Sequence, residues 1–67
     1  MMLSDLVRVK WLSVVMNSLD RVRQPGELGL FISYERAHWS TSTSQYAFVM
    51  FGDGKIDIIN SVGFEQA

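Results

Sequence analysis

The chain has 67 residues, of which 48% are apolar, 12% aromatic and 19% charged, with a formal net charge of −1. That length holds one domain, residues 1–67, near the lower limit at which an apolar core outweighs chain entropy, and the composition is that of a folded chain, not a disordered one. The absence of cysteine and the single histidine exclude disulfides and thiolate zinc sites and leave too few nitrogen donors for a typical transition-metal site, so neither metal nor cofactor is expected.

In chain order, residues 5–11 come first. Val7, Val9 and Trp11 alternate with Arg8 and Lys10, the period-two signature of a half-buried strand with the three apolar side chains facing inward. Residues 12–24 are ambiguous. Trp11, Val15, Leu19 and Val22 recur at helical spacing, but the pair Val14-Val15 suits extended chain, which leaves a short helix or a long inserted loop. Pro25-Gly26 is a turn, and Leu28 to Tyr34 reads as a second strand in which Gly29 marks a bulge or a close backbone approach.

Residues 36–44 are a polar loop containing Ser40-Thr41-Ser42-Thr43-Ser44. Tyr46 to Phe51 is an aromatic and β-branched strand. It is followed by Gly52-Asp53-Gly54 and by a returning strand in which Lys55 and Asp57 alternate with Ile56 and Ile58. The Asp-Gly pair predicts a tight hairpin of type I′, and the alternation predicts Ile56 and Ile58 in the core with Lys55 and Asp57 in water. Asn60 to Gly63 turns again, and Phe64 begins a last short strand or 3₁₀ turn. The expected fold is mostly β, a small SH3-like barrel of about five short strands, since closure removes exposed sheet edges.

Three segments, Asp5-Leu6-Val7-Arg8-Val9-Lys10, Gly26-Glu27-Leu28-Gly29-Leu30 and Phe51-Gly52-Asp53-Gly54-Lys55, resemble small SH3-like or Sm-like barrel proteins of marine cyanophages and marine metagenomes. The resemblance implies a five-stranded barrel, assembly into a ring through strand pairing between subunits, and RNA or other nucleic acid as partner. The second Sm signature, an Arg-Gly pair, is replaced here by Ile59-Asn60-Ser61-Val62, so the nucleotide pocket of Sm proteins does not carry over.

Two groups of residues stand out for binding. His38 and Trp39, with Tyr34 and Arg36, would stack bases in the manner of single-strand binders, and Arg8, Lys10 and Lys55 would contact phosphates. The structural alternatives are that Trp39 anchors its loop and that the cations form ordinary solvated pairs. The second group, Trp11, Leu12, Val14, Val15, Met16 and Leu19, is an apolar cluster that either completes the core or forms an oligomer interface. A chain this small, without disulfide or metal, has self-association as its remaining means of stabilisation, because a lone core of this size supplies about 3–5 kcal/mol.

Catalysis is not expected. There is no Gly-x-Ser-x-Gly elbow, Gly52-Asp53-Gly54 is neither a P-loop nor a dinucleotide fingerprint, and Asp53 with Asp57 does not make a calcium loop. The longest apolar run is too short to span a bilayer, and the first residues lack the features of a secretory signal, which predicts a cytoplasmic location, that of the host cell if phage-encoded. The sequence therefore predicts a non-catalytic, homo-oligomeric binding module. Its expected ligand is RNA or single-stranded DNA, with a protein-interaction barrel as the alternative and no membrane or small-molecule substrate.

Overall fold

The computed structural model describes residues 2–18, 20–35 and 45–67. Among the described residues there are seven strands, β1 (Leu6–Val9), β2 (Ser13–Val14), β3 (Val22–Arg23), β4 (Leu28–Tyr34), β5 (Tyr46–Phe51), β6 (Ile56–Asn60) and β7 (Phe64–Gln66), with one 3₁₀ turn at Ser61–Gly63. Five of them form an antiparallel sheet in the order β6-β5-β4-β1-β7, and β2 pairs with β3 in a separate ribbon. The molecule is mostly β, and the five-stranded sheet is open.

The segment between β1 and β4 is neither helix nor plain loop. Ser13 faces Arg23 and Val14 faces Val22 in a two-rung antiparallel ladder, and the turn beyond it is fastened to β6. Asn17 acts there as a false strand. Its Oδ1 accepts the Ile58 N–H at 3.1 Å and its Nδ2 donates to the Ile56 carbonyl at 3.0 Å. The Met16 N–H donates to the Ile58 carbonyl at 2.8 Å, so the outer edge of β6 is largely satisfied from within the chain.

The core is small: Val7, Val9, Phe31, Ala47, Val49, Phe51, Ile59 and Phe64 form one buried cluster, and Val15 is buried as well. Gly29 permits the close approach of β4 to β5. A Cβ there would lie 2.6 Å from Val49 Cγ1 and 3.1 Å from the Met50 carbonyl oxygen. The bulge itself lies further along, between Phe31 and Ser33.

Three expectations are corrected. The hairpin between β5 and β6 exists, but it is not a two-residue type I′ turn. The Gly54 N–H donates to the Phe51 carbonyl at 2.9 Å and the Phe51 N–H to the Lys55 carbonyl at 3.0 Å. Only Gly54 in the loop has positive φ, at 81°, which is the three-residue loop ending in a left-handed glycine. Trp11 does not join Val7 and Val9 in the core; the strand ends at Val9 and the indole is half exposed.

The third correction reverses the parity of β6. Asp57 is fully buried and Ile59 is 1% exposed, whereas Ile56 is 46% exposed. The cause is a pair of arginines on the ribbon. Arg23 Nε donates to Asp57 Oδ2 at 2.6 Å and Arg21 Nη2 to Asp57 Oδ1 at 2.5 Å, so the buried carboxylate is paired at both oxygens, the condition under which a charge is tolerated inside a protein.

Candidate binding surfaces

Most charged side chains of the described residues near the core are already committed to one another. Arg23, whose side chain is 7% exposed, also reaches Asp53 at 3.1 Å and Glu27 at 3.3 Å, and its guanidinium stacks 4.0 Å from the centre of the Phe51 ring. Burial opposes its charged form, but the hydrogen bond and charge of Asp57, followed by Asp53 and Glu27, more than offset this and raise its pKa. The Lys55 backbone N–H, and after it Arg23, hold the Asp53 carboxyl below its ordinary value. This network locks the ribbon onto the hairpin and uses two of the chain's cations for structure.

The remaining cations and aromatic residues of the sequence-based nucleic-acid group are spread out. Arg8 faces outward on β1 and lies 4.0 Å from Glu65 on β7, both side chains about half exposed. Lys10 Nζ sits 4.8 Å above the Trp11 ring. Lys55 is exposed beside the hairpin loop. Tyr34 lies at the far end of β4 from the hairpin, its ring edge-on to Phe31 at 4.9 Å; six residues of strand, about 20 Å, separate the two ends. Arg36, His38 and Trp39 lie outside the described residues, as does Leu19 of the apolar group.

The apolar group divides more sharply. Val15 is core, but Trp11, Leu12, Val14 and Met16 are 50%, 58%, 65% and 53% exposed. They border a groove of about 250 Å³ whose other walls include Tyr46, Ile59 and the exposed Val62 of the 3₁₀ turn, and among the described residues no charged side chain lines it. Two features build the groove. The Ser13 hydroxyl donates to the Trp11 carbonyl at 2.9 Å, bending the chain after β1, and the Asn60 side chain accepts the Val62 N–H and caps the turn. The volume lies below the roughly 300–1,000 Å³ of small-molecule sites and suits one or two apolar side chains.

A second open groove of about 390 Å³ lies on the outward face of the sheet, between Leu6, Leu28, Leu30 and Met50 and the glycines of the hairpin. Sequence reasoning did not identify it, nor the Arg21, Arg23 and Asp57 cluster. The available signal was a lone aspartate in an otherwise apolar strand, opposite strands that run apolar on both parities.

No group of three or more histidine, aspartate or glutamate side chains is placed to hold a metal ion among the described residues, and no helix among them is long and apolar enough to cross a membrane. No protein-family model matches the chain, and comparison with curated proteins and with solved structures gives no match.

Proposed function

We propose that the chain is an SH3-like barrel serving as a non-catalytic interaction module, and that its ligand is a short apolar segment of another protein seated between residues 11–16 and the 3₁₀ turn. The strand order supports the SH3-like reading: a long insertion follows the first strand of the sheet, a tight hairpin joins β5 to β6, and a 3₁₀ turn precedes the last strand. The observation that carries the functional reading is the uncharged groove bordered by exposed Trp11, Leu12, Val14, Met16 and Val62. Exposed apolar surface on a small chain costs solubility and marks a contact site, and a half-exposed tryptophan is the side chain most enriched at binding hot spots.

Nucleic acid is the second reading, favoured by the exposed indole of Trp11 with Lys10 beside it. The cation lies over the ring face that a base would use, and among the described residues the groove offers no positive wall for a phosphate. Selection from a random peptide library on the immobilised chain separates the two. The protein reading expects enriched apolar peptides whose affinity varies little with salt and falls at least tenfold in Trp11→Ala, a loss of about 1.4 kcal/mol or more. Absence of any enriched peptide, together with oligonucleotide binding that weakens steeply as salt rises, contradicts it.

A further inference from the structure

The sheet has a second unsatisfied surface, on the side away from the core. Leu6 faces Leu30, Leu30 faces Met50, and Met50 faces Ile56 in the registers of four neighbouring strands, forming one apolar row across the outside of the sheet. Leu6, Met50 and Ile56 in that row are 45%, 37% and 46% exposed. Phe48 and Ile58, also paired, continue the same face. Across β4, β5 and β6 the single charged residue is Asp57, and it points inward. Strands that are apolar on both parities belong to sheets covered on both sides.

We infer that a second copy of this chain covers the outer face, stacking sheet against sheet about a two-fold axis. Four strands about 4.8 Å apart and about 17 Å long present a footprint of roughly 300 Å² on each copy, about 600 Å² over the two. With the flanking Leu28 and Arg8 this reaches the low end of interface sizes, below roughly 1,200 Å² in total, where weak and transient complexes lie. A contact of that size makes the dimer weak and reversible. The flank carries both signs side by side, Arg8 beside Glu65, and each chain brings a net charge of only −1, so an identical rim meets no large repulsion.

The route is face stacking, because strand addition at β6 would have to displace the Asn17 amide and the Met16 N–H from Ile56 and Ile58. The self-contact also supplies what the fold lacks, since the monomer core is small and includes a buried ion pair where a larger domain would place more hydrocarbon.

Sedimentation equilibrium from low micromolar to near-millimolar concentration tests the inference. The expected result is a monomer–dimer equilibrium within that range, with a melting temperature that rises with concentration. Ile56→Lys and, independently, Met50→Lys should weaken the dimer roughly 100-fold, the cost of an uncompensated charge in the contact, while leaving the dilute monomer folded and its peptide binding through the Trp11 groove unchanged. A native chain that stays monomeric near millimolar concentration overturns the inference. So does a dimer that survives both lysine variants, or one that is lost in Trp11→Ala instead. Failure to enrich any peptide, with a dimer that Ile56→Lys dissolves, removes the groove reading and leaves the dimer standing.

Discussion

Ile56 and Ile59 stand three positions apart on the same strand, one facing solvent and the other sealed in the core, and the two faces they mark are both largely apolar. The inner face holds the strand's one charge, Asp57, neutralised by Arg21 and Arg23. The outer face holds an uncharged row of Leu6, Leu30, Met50 and Ile56. A monomeric antiparallel sheet ordinarily carries a charge such as Asp57 on its solvated face. The inner charge fastens the β2-β3 ribbon to the hairpin, and the outer hydrocarbon is the surface we infer to be covered by a second copy. The same division appears at the ribbon itself, where Val15 is buried and Val14 is exposed.

The comparison breaks most visibly at Asp57. Asp57→Asn leaves the 7%-exposed Arg23 side chain without its one buried charge partner, with only the partly exposed Asp53 and Glu27 beside it, and removing one member of a buried pair costs about 3–5 kcal/mol. That equals the whole stability expected of a core this size, so circular dichroism should show an unfolded chain in the dilute variant. The paired isoleucines sharpen the contrast. Ile59→Ala should lose about 2–5 kcal/mol in urea unfolding. Ile56→Ala should lose less than about 1 kcal/mol at concentrations where the chain is monomeric, as outward-facing substitutions do; equal losses would contradict the assigned faces.

Gly29→Ala probes the inner face with a smaller effect. Its Cβ would collide with Val49 Cγ1 and crowd the Met50 carbonyl, for a loss of about 1–3 kcal/mol. The smallest effect concerns pH. Asp53 has a folded-state pKa lowered from 3.8, so its contribution is present above that value and fades as pH falls through the lowered one. Asp53→Asn should therefore be less stable than the native chain near neutrality, and the two should converge in acid; a gap that widens in acid would contradict this sign.

The sequence showed some of this plainly. Leu28–Tyr34 and Tyr46–Phe51 were legible with the bounds observed, because turn residues or a polar tract flank each apolar run. The hairpin was legible too, but its turn type was not: a glycine on each side of Asp53 lets the loop close over three residues instead of two. The parity of β6 was beyond periodicity, since Ile58 and Ile59 are adjacent and either choice buries isoleucine. It is decided by Arg21 and Arg23, 36 and 34 positions earlier in the chain. Strands of two residues, β2 and β3, carry no period at all. Among site residues, the Trp11 to Met16 cluster was visible as an apolar stretch interrupted by Ser13 alone, whereas the outer row exists only once four strands are set in register.

The inferred self-contact through the outer face is tested most directly by backbone amide chemical shifts followed over a dilution series of the native chain. The account predicts concentration-dependent shifts at Leu6, Leu30, Met50 and Ile56, with Trp11 to Met16 and the Asp57 amide unmoved. Shifts confined to the Trp11 to Met16 segment, or none anywhere up to near-millimolar concentration, would contradict it.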